Sequence, residues 1–336
     1  MAGVDTTSTA AGAPRGRRAH LPRLTRQAPT GPGAVRPDGL RRAPADHWPK
    51  YLAISPFYLL FLAFGLIPVV FSLYLAFHRW DGIGGMEYAG LSQFRYLLTD
   101  SQFWNSISVT VQIWAMATVP TLFLAMVTAV LMNSAVRFKG FYRVAYFVPS
   151  VTSIVAIAIV FGSIFSTEFG LTNAALRAVG LDTVPWLNSP WGIKTAIAAL
   201  MTWQWVGYNA IIYLAGLQTI PSELYEAARV DGAGPVQSFF RITVPMMRPV
   251  ILFTLVVSTV TGLQSFSESQ VLLASTSNTS NAGGPDNAGQ TMVLYFYQQT
   301  FDNNDFGYGA AMAWGIFLVV ALFAIINWRL VQRRER

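Results

Sequence analysis

Six stretches of this chain contain no aspartate, glutamate, lysine or arginine: residues 51–78, 101–136, 144–167, 195–222, 249–267 and 306–328. An α-helix needs about 20 consecutive apolar residues to cross a hydrocarbon core of about 30 Å. Inside that core no water satisfies backbone N–H and C=O groups, so runs this long are confined to helix. Buried helices of a large water-soluble protein would need polar faces at helical spacing, and these segments mostly lack them. The pattern predicts an all-α integral membrane protein with six crossings.

Only 12% of the 336 residues are charged, against about 25% in an ordinary soluble domain. The charges are also unevenly placed. Nineteen of the 23 Lys and Arg residues fall in residues 1–50, 134–143 and 219–248 and after residue 328. Basic residues near membrane helices mark the cytosolic side. Both termini and the loop 219–248 are therefore expected in the cytosol, with Arg79, Arg95, Arg177 and Lys194 outside. The net charge of +7 is then a topology signal, and a basic tail beside a membrane suits anionic lipid rather than nucleic acid.

Residues 1–47 are rich in Ala, Arg, Pro, Gly and Thr, which bury too little apolar surface to offset ordering entropy. They read as a disordered basic cytosolic tail, with the transmembrane domain over 48–336. The first apolar run is too long for the core of a cleavable signal peptide and is expected to remain as a span. No cysteine occurs, which removes disulfides and thiolate chemistry. His20, His47 and His78 have no metal-ligand spacing. Residues 90–98 read as a short interfacial helix, and the expected helices 3 and 5 cover about 142–166 and 248–272. No internal repeat is visible.

The loop 219–248 carries a pattern that a plain connection does not need. Pro221-Ser222-Glu223 starts a helix, with Ser222 available as cap and acids at the positive end of the dipole. Leu224, Ala227, Ala228 and Val230 give it a small, smooth face, and Gly232 and Gly234-Pro235 stop it. A second short helix, Val236 to Ile242, is expected to return to the membrane, with Pro245 and Pro249 at the entry to helix 5.

Glu226-Ala227-Ala228, three residues, Gly232, nine residues, then Ile242-Thr243-Val244-Pro245 resembles the EAA signature of permease subunits of bacterial ABC importers. Val244 stands where that family usually has Leu. Trp203-Gln204-Trp205, Ala215-Gly216-Leu217-Gln218, Val230-Asp231-Gly232-Ala233, Phe169-Gly170-Leu171-Thr172-Asn173, Gly283-Gly284-Pro285 and Phe306-Gly307-Tyr308-Gly309 look like carbohydrate permeases of the maltose and glycerol-phosphate group. The resemblance covers about residues 50–333. One departure is Ser275 to Pro285, longer and more polar than the family's Thr-Gly-Gly-Gly-Pro stretch.

The resemblance implies the type I importer permease fold, located in the bacterial cytoplasmic membrane. It makes 219–248 a coupling loop seated in a cleft of an ATPase, with Glu226, Ala227, Ala228, Asp231, Gly232, Ala233 and Pro245 as the coupling residues. It also implies a dimeric ATPase, a second related permease, an extracytoplasmic solute-binding protein and a di- or oligosaccharide as solute. No phosphate-binding Gly-x-x-x-x-Gly-Lys-Ser/Thr pattern occurs, so ATP and Mg are expected on the partner ATPase, with no cofactor bound here and no catalytic residue.

A sugar path needs groups that match hydroxyls, and aromatic platforms. Gln204, Tyr208 and Asn209 form a polar cluster on helix 4, where Trp203 or Trp205 suits a pyranose face. Glu268 is the acidic residue within an expected span, with Gln264 one turn earlier on the same face. Glu268 near the outer end of its helix also fits a side chain that simply reaches water, and either permease of the pair can hold the solute site. A self-contained secondary carrier or channel is the alternative of a different class, and would need an ion-coupling site. A membrane enzyme would need a constellation of His, Asp or Glu that the spans lack.

Overall fold

The computed structural model describes residues 48–134, 138–274 and 283–332. The tail expected over 1–47, and most of the departure at Ser275 to Pro285, lie outside the described residues. Internal contacts divide the chain at Leu59/Leu60. The described part of the first unit is the start of α1 (Trp48–Phe61), and residues 60–336 form the second unit.

The structure is almost entirely helical. After α1 come a π-helical turn (Leu62–Leu66) and α2 (Ile67–Leu75). The π-turn ends just before Pro68, whose ring would press on the carbonyl four residues back, and the wider turn relieves that clash. A two-stranded ribbon follows, β1 (His78–Arg79) antiparallel to β2 (Glu87–Tyr88), a feature that no alternating pattern announces in the sequence. Next are α3 (Ser92–Thr99), the expected interfacial helix, and α4 (Ser101–Asn133), which Asp100 caps through its own side chain on the Gln102 N–H at 2.9 Å.

Helix 3 of the sequence reading is broken. It consists of α5 (Lys139–Val151) and α6 (Ile154–Ile164), bent by 94°. Pro149 lies just before the break, and Thr152 and Ser153 take non-helical backbone angles. Proline removes an intrahelical hydrogen bond and crowds the preceding turn, which is the usual cause of so sharp a bend. Then follow α7 (Leu171–Ala178), α8 (Pro190–Leu217), α9 (Ser222–Val230), α10 (Pro235–Ser238), α11 (Val244–Leu263), α12 (Ser267–Ala274), α13 (Met292–Tyr297) and α14 (Phe306–Gln332).

Among the described residues, four helical segments are long and apolar enough to cross a membrane: Lys50–Leu75, Ser101–Asn133, Pro235–Leu263 and Phe306–Arg329. The α5–α6 pair makes a fifth if it is one broken span. At 28 residues, or about 42 Å, α8 has the length of a crossing, but its Trp, Gln, Tyr and Asn side chains make it less apolar. These are the six segments marked by the charge-free runs.

The core is built on α4 and α8. Ile113 and Ala117 pack with Ile193, Ala196, Ile197 and Met201, while further along Ala125 and Ala129 meet Ala210, Tyr213 and Leu214. Small residues let the backbones close up, which drives association where lipid is as apolar as leucine. Gly207 is the extreme case: a Cβ there would fall on the Tyr146 carbonyl, so α5 crosses α8 at backbone contact. Polar pairs tie the bundle further. Thr202 Oγ1 donates to the Ala117 carbonyl at 3.2 Å, Asn327 Nδ2 to Thr259 Oγ1 at 3.0 Å, and Thr254 Oγ1 to the Tyr213 hydroxyl at 2.8 Å.

Candidate functional site

Two regions hold the residues singled out in the sequence. The first is a cavity of about 60 Å³ between α4, α8, α11 and α12. Helix α8 contributes Met201, Trp205, Tyr208 and Asn209, one face at helical spacing. Thr118 and Thr121 come from α4, Ser258 and Thr261 from α11, and Glu268 from α12. Trp205 and Tyr208 meet edge to face, with ring centroids 5.8 Å apart. Asn209 Nδ2 donates to the Trp205 carbonyl at 3.0 Å, which leaves the amide oxygen for another partner. The volume suits a few water molecules, at roughly 10–15 Å³ each. It is well below the roughly 300–1,000 Å³ of a ligand site, so the cavity does not hold a sugar in this conformation.

Of the six residues expected on the path, Trp205, Tyr208, Asn209 and Glu268 line this cavity, and Gln204 and Gln264 do not. Gln204 is buried with its Oε1 unpartnered among the described residues. The expected helix 5 over 248–272 is interrupted: α11 ends at Leu263, and Gln264 and Ser265 make tighter three-residue turns before α12 starts at Ser267. Gln264 and Glu268 therefore do not share one helical face, and Gln264 is exposed. The hydroxyls of Ser265 and Ser269, at and just after the break, are buried without a hydrogen-bond partner among the described residues. Trp203 points away from the cavity and packs on Phe161, with centroids 5.7 Å apart. Thr118, Thr121 and Ser258 were not singled out in the sequence, because hydroxyls bonded back to their own helix are common in membrane spans.

The second region is the loop 219–248. Helix α9 begins at Ser222, but no side chain caps it, so Ser222 is its first residue and not its cap. Its end is fully specified. Gly232 has φ 77°, Ala233 N–H bonds the Ala228 carbonyl at 2.8 Å, and Gly232 N–H bonds the Arg229 carbonyl at 3.1 Å. This pair of bonds around a left-handed glycine is the Schellman stop. Glu223, Glu226, Ala227 and Val230 are exposed, while Tyr225 and Ala228 are half-buried. The two alanines thus sit on different sides of α9, and the outward face is acidic and small. Asp231 is exposed at the helix end, and Ala233 turns back towards the bundle.

The expected return helix from Val236 to Ile242 is not separate. Residues Pro235–Leu263 form one continuous run through a π-helical turn, Phe239–Thr243, and Pro245 lies within it. Tyr225 and Arg229 of α9, with Ala233 beyond its end, line a cavity of about 420 Å³ with Asn133 of α4 and Leu217 of α8. Among the described residues no group of three or more His, Cys, Asp or Glu side chains is placed to hold a metal.

Residues 113–336 match the family described as binding-protein-dependent transport system inner membrane component. The chain belongs to that family. It is 36% identical over 304 residues to the probable ABC transporter permease protein YesP of Bacillus subtilis, covering 89% of this chain and 96% of the relative. It is also 35% identical to the arabinooligosaccharide permease protein AraP of Halalkalibacterium halodurans, over 82% and 84% of the two chains. The lactose permease protein LacF of Rhizobium radiobacter is 34% identical, over 85% and 94%. Among solved structures, a bacterial ABC transporter that imports alginate shares the fold, with a TM-score of 0.71 at 24% identity, over 87% of this chain and 98% of that one. The family is an inner-membrane transport component of ABC importers and not their catalytic subunit.

Proposed function

We propose that this chain is the membrane-spanning permease subunit of an ATP-driven importer for a di- or oligosaccharide, delivered by an extracytoplasmic binding protein. The observation that carries this reading is α9, a short helix stopped by a Schellman glycine between two spans, with Glu226 and Ala227 on its exposed face. Such a rigid, small-faced helix suits insertion into a partner cleft, and closure of an ATPase dimer would move it as one body. Glu226 offers a charge-assisted contact to a basic residue of that partner. ATP and Mg belong to the ATPase, and a second related permease completes the pore. Relatives named for arabinooligosaccharides and lactose support a sugar as the solute.

In this reading Trp205, Tyr208, Asn209 and Glu268 line the solute path, with an indole and a phenol for ring faces and polar groups for hydroxyls. Alternating access opens the cavity, which is closed here. Both termini lie in the cytosol. Co-purification from the native membrane tests the assembly: an ATPase, a second permease and this chain should elute together. Uptake of a panel of labelled oligosaccharides, with the cognate binding protein, then identifies the solute. Full uptake by this chain alone would overturn the reading in favour of a self-contained carrier.

A further inference from the structure

We infer that Glu268 makes the path selective by charge, admitting neutral or amino-bearing sugars and opposing sugars that carry a carboxylate. The inference rests on the reading that the cavity is the solute path. Glu268 is the one acidic or basic side chain among the residues lining the cavity. Its other polar walls, among them Thr118, Tyr208, Asn209 and Ser258, carry no net charge, and among the described residues no lysine, arginine or histidine lines it. A uronate entering would meet a like charge and find no cation on this chain's cavity wall to replace its lost hydration, which is costly in a site with low-dielectric walls. A neutral sugar meets an acceptor for its hydroxyls instead. A protonated amino sugar gains a counter-charge. When the path opens, water enters with the solute, and the carboxylate field then acts along a narrow channel between apolar walls.

The chain has no cysteine, so Ser258→Cys places a single thiol of this subunit in the cavity wall. The complete importer, reconstituted in proteoliposomes, is treated with three thiosulfonate reagents of similar size: neutral, sulfonate-bearing and trimethylammonium-bearing. Rates are measured at rest, with ATP and in the vanadate-trapped state, relative to each reagent's rate on a free thiol. The cationic reagent should react at least about tenfold faster than the anionic one, as expected for a nearby unit charge in a partly buried site. Glu268→Gln should bring the ratio to within about twofold of unity, and Glu268→Asp should keep it. Raising salt from roughly 0.01 M to roughly 1 M should narrow the ratio in the Glu268 protein through screening, a readout that needs no substitution at 268. A thiol reached by the neutral reagent, with a ratio near unity that neither salt nor Glu268→Gln moves, overturns charge selection and leaves the path reading standing. A thiol that the neutral reagent reaches in none of the three states overturns the path reading itself, and the inference with it.

Discussion

The phenol oxygen of Tyr225 lies 2.9 Å from Oγ1 of Thr243, joining helix α9 to the π-helical turn that leads into α11. Tyr225 sits on the inner face of α9, opposite the acidic face, and Thr243 is buried at the root of the next span. A push on α9 therefore reaches the span through a side-chain bond as well as through the backbone after Gly232. A hydrogen bond of this kind is worth about 1 kcal/mol net.

Tyr225→Phe keeps the ring and removes the bond. We expect assembly to be retained and the ratio of solute uptake to ATP hydrolysis to fall about two- to fivefold, measured in proteoliposomes. Thr243→Val should do the same, and the double variant should be no worse than either single one.

Gly232 occupies a left-handed conformation in open space, with no atom within 4 Å of an added Cβ. Backbone strain alone then governs substitution, at about 1–2 kcal/mol for an ordinary residue and less for asparagine. At matched membrane levels Gly232→Asn should retain most uptake, and Gly232→Val should lose most of it. Glu226→Lys, which leaves α9 intact and reverses the charge on its exposed face, should lose uptake by weakening the ATPase contact. Wild-type uptake in both Gly232→Val and Glu226→Lys would show that this loop does not couple.

Asn173 is fully buried and satisfied on both sides of its amide. Nδ2 donates to the carbonyls of Thr167 and Val184, each at 2.9 Å, and Oδ1 accepts from the Val184 N–H and the Trp186 indole, each at 3.0 Å. Asn173→Ala strands these groups, at about 1–3 kcal/mol for each one left buried without a partner. The variant should lower the melting temperature of the purified complex by several degrees and increase proteolysis between residues 167 and 190. Asn173→Asp keeps the acceptor and loses the donor, and should also be destabilised.

The charge asymmetry predicts a cytosolic reporter when the fusion follows Arg336, and an external one when it is inserted near Asn278. Alkaline phosphatase and fluorescent-protein fusions read the two sides. The opposite result at either site would overturn the assigned orientation.

How much of the site was legible varied with the range of the interactions involved. The stop at Gly232 could be read in sequence because a Schellman end is local, needing one left-handed residue and two bonds within six positions. On α8 the residue types marked Gln204, Tyr208 and Asn209, with Trp203 or Trp205, but only the packing decided that Trp205, Tyr208 and Asn209 share a cavity wall and that Gln204 and Trp203 do not. Pairing Gln264 with Glu268 failed because it assumed one helix over 248–272, and the chain turns at Gln264 and Ser265 instead. The 94° break after Pro149 was half visible: proline marks a weak point, but the angle depends on what packs against each half.

The sequence by itself determined that this chain is helical and membrane-embedded, because charge-free apolar runs of about 20 residues or more have no other stable form in lipid. It also determined the place and end of the short helix α9. Only the tertiary structure decided which polar residues share a cavity. Thr118, Asn209, Ser258 and Glu268 come from four different helices, and their meeting depends on how closely those helices approach. That closeness is set by small residues such as Gly262 of α11, whose added Cβ would meet the Trp114 ring of α4. Contacts between distant segments arise from packing complementarity in three dimensions, which no local pattern along one chain encodes.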